Sequence, residues 1–459
     1  MLTYELKKAP GQPLYEALCR CIREDILSGK LPSGTKLPSK RALAANLEVS
    51  KVTVEGAYAQ LLAEGYLRSQ EKVGYFVEEV PQRSTAAHVP VPQKPPEPEW
   101  LLDLTANAPA TGFPFSVWMR LQRQVMLDYG DRLLTPLPPQ GYPVLRAAIA
   151  EHLLQFRGLS VDPENILIGA GTDFLYNLLI QLLGRDKGYA VEDPGYHKIR
   201  RIYAAGGVEC VSVPMDVFGV MPGALGGAQV LHCSPSHHFP TGIVTPAPRR
   251  RQLLQWTQAQ PGRYIIEDDY DSEFRFHAHP VPALLAMDRG GRIIYMNTFS
   301  KTLAPSIRIS YMILPPALMA VFRERLGFYS CTVPSFEQYT LARFLSGGWF
   351  EKHINRMRKS YRTRRNRIIE LLTASPFAER MTILEQDAGL HFLLRIDTEQ
   401  SDAQLKALCA QAGIRVSALS DFYQDAVPPW AERCLLVNYS GLGEEQLARA
   451  LEKLSVTQS

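Results

Sequence analysis

Apolar residues follow two rhythms along this chain, and each predicts a different kind of element. From Leu14 they recur at Leu18, Ile22 and Ile26, a single stripe at helical spacing, so a helix is predicted to start there and end near Gly29. Ser39, directly after Pro38, is an N-cap candidate for a second helix that turns Leu43 and Leu47 inward. Ser50 can cap a third, in which Val54, Ala57, Tyr58, Leu61 and Leu62 repeat at i, i+3, i+4, i+7 and i+8 before Gly65 stops it. Burying that stripe leaves Lys51, Thr53 and Glu55 toward water. Residues 66–69 and 74–77 read as two short strands joined by a turn containing Lys72, so three helices are followed by a wing. Gly56 does not fit this pattern: inside the third helix it costs about 1 kcal/mol relative to Ala, with no benefit visible in the sequence.

Beyond residue 100 the rhythm changes. Residues 165–169, 229–233, 264–267 and 293–296 are short apolar runs bounded by turn signals and separated by helical patterns, which predicts an α/β domain with buried, mainly parallel strands. Between the two regions, Pro81, Pro90, Pro92, Pro95, Pro96 and Pro98 remove backbone donors and favour extended chain, the composition of a semi-rigid linker. The expected division is therefore 1–79 for the helical unit, 80–99 for the linker and 100–459 for the α/β unit. At 459 residues the chain is too long for one ordinary core, in agreement with that division.

Composition narrows the picture only slightly. Hydrophobic content of 46% and charged content of 21% belong to a soluble globular protein and argue against disorder as the main state. The net charge is only +4, so any nucleic-acid surface must come from local placement of Lys and Arg. Seven cysteines with one close pair, Cys19 and Cys21, give neither a disulfide framework nor the spacing of a zinc site, so no metal is expected. The N-terminus has no basic segment followed by an apolar run, and no stretch approaches the roughly eighteen apolar residues that span a bilayer. A cytoplasmic protein without a membrane partner is the expectation.

The chemistry of the large unit centres on Lys301, in the run Asn297, Thr298, Phe299, Ser300, Lys301 just after an apolar strand. A lysine there can form a Schiff base with an aldehyde, while the hydroxyls of Thr298 and Ser300 and the guanidinium of Arg308 can hold a phosphate. An isolated Ser-Lys pair is ordinarily a surface dipeptide, so other segments must support it. Asp268 and Tyr270, at the end of the 264–267 strand, supply a carboxylate for a protonated pyridine nitrogen and a phenol for the cofactor oxygen. Gly171, Thr172 and Asp173 follow a strand and open a helix, aiming backbone donors at phosphate. Tyr196 offers a ring for stacking, and His237 lies in another turn after a strand.

Together with the segment from Gly141 to Arg146 and the turn from Phe239 to Gly242, these motifs resemble fold-type I aminotransferases over about 350 residues. The smaller unit also resembles a known family. Leu37 to Ala44, Val49 to Val54, Ala57-Tyr58, Glu64 to Leu67 and Gly74 to Val77 resemble the GntR regulators from end to end. The combined architecture, a winged helix-turn-helix plus a large aminotransferase-like domain with a mainly parallel sheet, resembles the MocR subfamily of that family. The resemblance implies pyridoxal 5'-phosphate as cofactor, with Lys301 as the residue of the internal aldimine, Asp268 at the ring nitrogen and Tyr270 near the phenolic oxygen. It also implies Tyr196 as the stacking residue, Thr298, Ser300 and Arg308 at the phosphate, and Gly171, Thr172, Asp173 and His237 in the same cofactor set. Ser39, Arg41, Ser50, Lys51 and Thr53 become the implied DNA contacts, with the wing around Lys72 and Gly74 touching the backbone or minor groove. A head-to-tail homodimer on a double-stranded operator is implied as well.

One departure bears on function. Aminotransferases commonly hold the substrate carboxylate with an arginine on a late strand, and here that position falls near Leu435 or Leu436, which cannot form a bidentate pair. Arg433, in a shifted register, or Lys198, two residues after Tyr196, are the substitutes the sequence offers. The expected function is a transcription regulator with pyridoxal phosphate, alone or with an amino compound, as effector, controlling genes of vitamin B6 or amino-acid metabolism. A catalytically active aminotransferase carrying a DNA-binding domain is the alternative, and a helical domain used for protein interaction is a third reading.

Overall fold

A computed structural model of the chain describes residues 2–4, 6, 13–80, 99–105, 112–274, 281–386 and 389–457. Two compact units, Met1–Glu97 and Pro98–Ser459, account for it. The expected Pro-rich linker lies, apart from its two ends, outside the described residues.

The smaller unit consists of helices Leu14–Leu27, Lys40–Asn46 and Lys51–Ala63, followed by an antiparallel hairpin of Leu67–Gln70 with Gly74–Val77. Leu18, Ile22, Ile26, Leu43, Val54, Ala57, Tyr58 and Leu61 are buried together with Leu67 and Val77, so each predicted stripe faces one core. Tyr58 donates to the carbonyl of Pro38 at 2.9 Å and meets the Tyr75 ring edge-on at 4.9 Å, pinning the third helix to both the second helix and the wing. Gly56 has its explanation here: a Cβ at that position would stand 3.1–3.4 Å from the Tyr15 side chain, so the first and third helices use the missing methyl to approach closely.

The larger unit carries an eight-stranded sheet in the order Ile166–Gly169, Ser310–Ile313, Ile293–Thr298, Tyr264–Asp268, Val230–Cys233, Tyr189–Asp193, Cys210–Asp216, Gly219–Val220. The five strands from Ile293–Thr298 to Cys210–Asp216 run parallel, and Ser310–Ile313 is antiparallel to both its neighbours. Helix Thr172–Leu183 covers one face through Leu175, Tyr176 and Leu179 against Val191, Ile266 and Met312. Helix Ala247–Gln258 covers the other through Leu253 and Leu254 against Leu231 and Ile265. Burial on both faces is why these strands read as continuous apolar runs rather than alternating ones.

A second, antiparallel sheet joins Met381–Leu384, His391–Ile396, Cys434–Asn438 and Ser417–Ala418. The 25-residue helix Trp349–Thr373 precedes it. Asp193, Asp268 and Thr298 each end a parallel strand, and in open α/β sheets ligands bind beyond those carboxyl ends. Among the described residues no helix is long and apolar enough to cross a membrane, and no His, Cys, Asp and Glu cluster could hold a metal.

Candidate functional site

Beyond the carboxyl ends of the parallel strands lies a cavity of about 350 Å³, within the range of small-molecule sites. Thr172, Asp173, Tyr196, Asp268, Tyr270, Thr298, Ser300, Lys301 and Arg308 all line it. Residues drawn from across more than 130 positions of sequence are thus brought to one place by the sheet.

Asp268 is held in a network that the sequence did not announce. Tyr176, on the covering helix, donates to its Oδ2 at 2.5 Å, and His232 Nε2 lies 3.5 Å from the same oxygen. His232 is fixed in turn by Tyr203 on Nδ1 at 2.7 Å. The other oxygen, Oδ1, is buried with no hydrogen-bond partner. A buried acceptor left in that state is costly, and it matches the need of a ligand that brings an N–H. The neighbouring Asp269 is committed elsewhere, to Arg157 at 2.7 Å and the Tyr295 hydroxyl at 2.6 Å, so only one of the two adjacent acids serves the cavity.

Lys301 follows the strand Ile293–Thr298 in a turn. Burial lowers its ammonium from the ordinary range, and the carboxylate of Asp271 opposes that effect. Tyr270 lines the cavity as a phenol, its pKa raised well above the usual value by burial and then by Asp271. His237 is not a cavity wall. It sits behind, bonded to Asp271 at 2.8 Å and to the Tyr270 hydroxyl at 3.3 Å, so its place is to orient those two groups. His391, unforeseen from the sequence, does line the cavity, and burial with the nearby His237 holds it neutral.

A candidate anion cradle forms around Arg308, which lines the cavity. Gly171 is the N-cap of helix Thr172–Leu183 at φ +88, and a Cβ there would fall 2.0 Å from Arg308 Nη2, so the residue must be glycine for the arginine to reach in. Helix N-termini favour anions, and the 12-residue helix supplies that end. Thr298 accepts from Ser310 Oγ at 2.8 Å and from the Ser300 amide at 3.1 Å, and donates to Ser300 Oγ at 3.0 Å. Its hydroxyl is thereby spent on aiming Ser300. Asp173 is a counter-ion rather than an anion holder, 2.7 Å from Lys198 and 3.5 Å from Arg308. The donors, the cradle and the unpartnered acceptor together fit a pyridoxal phosphate.

No arginine from the late strand enters this cavity. Leu435 and Leu436 are both buried, Leu435 in the main core and Leu436 against Leu393, Leu419 and Ala431. Arg433 is turned away, donating to the Thr398 carbonyl at 2.7 Å, and it does not line the cavity. Lys198 does line it but is held by Asp173.

On the smaller unit, Ser39 and Ser50 cap the second and third helices, accepting from the amides of Ala42 at 3.2 Å and Thr53 at 3.1 Å. The Ser50 and Thr53 hydroxyls lie 2.8 Å apart. Arg41 is exposed, one residue into the second helix. Lys51 is exposed but 3.3 Å from Glu55, whose carboxylate also faces Lys40 at 3.8 Å. Lys72, at φ 61, stands on the hairpin turn two residues before Gly74.

Comparison with known proteins agrees with both halves. The family described as "Aminotransferase class I and II" matches residues 100–454, and "Bacterial regulatory proteins, gntR family" matches residues 14–77. An uncharacterized HTH-type transcriptional regulator of Bacillus subtilis (strain 168), YdeL, is 36% identical over 99% of this chain and 98% of its own. The pyridoxine biosynthesis transcriptional regulator PdxR of Corynebacterium glutamicum is 33% identical over 95% and 93%. The probable rhizopine catabolism regulatory protein MocR of Rhizobium meliloti is 30% identical over 96% and 93%. Among solved structures, the kynurenine aminotransferase of Pyrococcus horikoshii superposes with a TM-score of 0.67 at 23% identity, covering 79% of this chain and 92% of that one, a likeness of fold. The chain belongs to the MocR subfamily of GntR-type transcription regulators, a helix-turn-helix domain joined to an aminotransferase-like domain.

Proposed function

We propose that this regulator binds double-stranded operator DNA through residues 1–79 and takes pyridoxal 5'-phosphate into the cavity of residues 100–459 as its effector, alone or with an amino compound. The observation that carries the reading is the convergence on one cavity of Lys301, of Asp268 with its unpartnered Oδ1, and of Arg308, whose approach requires the glycine at position 171. When bound, the cofactor would supply an aldehyde that condenses with amines and a chromophore that reports it. Asp268 would hold the ring nitrogen's proton, with the Tyr176 phenol fixing the carboxylate and His232 lying beside it. Tyr270 would donate toward the ring oxygen, and Tyr196 would cover one ring face. Ser300, Arg308 and the helix end at Gly171 and Thr172 would bind phosphate, while Thr298, Asp173 and His237 position their neighbours.

The same reading assigns Arg41, Thr53, Lys51 and the wing around Lys72 and Gly74 to DNA, with Ser39 and Ser50 presenting the helix ends to phosphate. Residues 80–99 connect the two activities. The relative named for pyridoxine biosynthesis favours genes of vitamin B6 metabolism as targets. The protein acts in the cytoplasm as a head-to-tail homodimer, an assembly favoured by the exposed apolar side chains Phe115, Met119 and Leu127 on helix Phe115–Tyr129. Transamination is disfavoured because Leu435 and Leu436 replace the usual carboxylate clamp, and neither Arg433 nor Lys198 stands free to replace it.

The test is a mobility-shift titration on the gene's own upstream DNA with and without pyridoxal phosphate, alongside absorbance spectra. Wild type should gain a visible Schiff-base band and change its DNA affinity, and Lys301→Ala should do neither while remaining folded. Rapid conversion to the pyridoxamine form with a panel of amino acids, with release of keto acid, would turn the assignment toward an enzyme.

A further inference from the structure

The helix Trp349–Thr373 carries eight Lys and Arg against two Glu. That surplus exceeds the net +4 of the whole chain, so the positive charge of this protein is concentrated on one element. The inward face is an ordinary core stripe of Phe350, Ile354, Met357, Tyr361, Ile368 and Leu372. Four of the cations serve the fold. Arg358 donates to the Glu273 carbonyl at 2.6 Å, Arg364 to the Ser440 carbonyl, Arg365 to the Gln386 carbonyl at 2.9 Å, and Arg367 pairs with Glu370 at 3.0 Å.

The other four, Lys352, Arg356, Lys359 and Arg362, are exposed along one face, and among the described residues no carboxylate pairs with any of them, although Arg356 also donates to the Gly112 carbonyl at 3.3 Å and lies 3.2 Å from His353 Nδ1. Their spacing of four, three and three residues makes them helical neighbours, and like charges at that spacing oppose the helix rather than support it. Arg120 adds to the same surface, lying 4.9 Å from the centre of the Trp349 ring that Lys352 also approaches at 4.8 Å. A helix that gathers cations with no neutralising carboxylate, against its own stability, is suited to meet an anion.

We infer that this face of the aminotransferase-like unit is a second DNA-contacting surface, engaging phosphates of the duplex outside the segment read by the helix-turn-helix. From Lys352 to Arg362 the helix rises about 15 Å, and a duplex presents one phosphate charge per roughly 1.7 Å of its axis, so all four cations can find partners on one stretch of backbone. The inference rests on the DNA-binding reading above, which places a duplex on the same chain and so raises its local concentration at this face. The contacts carry charge and no base readout, so they add affinity and salt dependence without adding sequence preference.

The experiment compares full-length wild type with a Lys352→Gln, Lys359→Gln, Arg362→Gln variant. Two duplexes are used: the minimal upstream segment that the triple variant protects from nuclease, and the same segment extended by several helical turns on both sides. Wild type should bind the extended duplex more tightly. The variant should lose that advantage, bind the minimal duplex as before, and show a log–log salt slope on the extended duplex shallower by about three, near 0.9 per phosphate lost. An unchanged circular dichroism spectrum and Schiff-base band establish that the substitutions leave the fold intact. Variant and wild type matching in affinity and slope on the extended duplex would overturn the inference alone, even if the variant lost binding to phosphatidylserine vesicles. A wild type that binds neither duplex would overturn the regulator reading and this inference with it.

Discussion

The phenol of Tyr176 donates to one oxygen of Asp268 at 2.5 Å, and burial with the adjacent carboxylate keeps that phenol protonated, while the other oxygen of this cavity-lining acid is left without a partner. Tyr176→Phe keeps the ring and removes the donor. A hydrogen bond to a charged group contributes about 1.5–3 kcal/mol, so pyridoxal phosphate should bind roughly ten- to a hundredfold more weakly, as read by titrating the visible band. Affinity within twofold of wild type would exclude this support for Asp268. Two buried acids invite a second prediction. Burial pushes the carboxyls of Glu192 and Glu273 up from 4.5 to about 8, helped by Asp268 in the first case and Asp269 in the second. Each keeps its proton in the folded chain while the unfolded chain has released it, so both contribute stability that is lost as pH rises from 4.5 toward 8, at most about 1.4 kcal/mol per pH unit for each group. Glu267 is pushed up in the same way, whereas His152, His238 and His391 are held below their usual range by burial and work in the opposite direction, so the test is a difference. Glu273→Gln does not titrate, and from pH 5 to pH 8 its melting temperature should drop by less than that of wild type at every step. Parallel pH profiles in variant and wild type would exclude Glu273 as a contributor.

At the scale of elements, helix and strand boundaries were legible because local chemistry sets them: Ser39 and Ser50 cap, Gly65 stops, and the doubly covered strands are apolar throughout. Lys301, Asp268 and Gly171 were legible for the same reason, each standing at the end of a strand or the start of a helix. Tyr176, His232 and His391 were not, because a tyrosine on an apolar helix face looks like core and its partner Asp268 lies 92 residues away. Only packing of helix Thr172–Leu183 on the sheet creates that contact. Gly56 was misleading in the other direction, a cost without a reason until Tyr15 was placed across from it. Its Cβ position is 3.1 Å from the Tyr15 ring, so Gly56→Val should push the first helix off the third. Overpacking of this kind costs about 1–3 kcal/mol, and the loss should appear as a lower melting temperature together with weaker operator binding. Undiminished stability would mean that Tyr15 simply swings aside.

For the whole molecule, an effector can change DNA affinity only if it binds the two DNA-related states with different strength, and that coupling must be reciprocal. On the reading proposed above, the cofactor cavity belongs to Pro98–Ser459 and base readout belongs to the helix-turn-helix of Met1–Glu97, so the cofactor need not touch the bases it helps to select for the coupling to exist. Couplings between sites are typically 5–150-fold, and whatever factor pyridoxal phosphate imposes on operator affinity, operator DNA must impose on pyridoxal phosphate affinity. Measuring both factors on the same preparation, one by anisotropy of labelled DNA and the other by titration of the visible band, should give the same number within error. Lys301→Ala should bring both to one together, since on this reading the lysine ties the ligand to the protein and is not itself among the proposed DNA contacts. A cofactor that shifts DNA affinity tenfold while DNA leaves cofactor affinity unchanged would violate linkage for two sites on one chain, and would place the apparent effect in a chemical modification of the protein rather than in sensing.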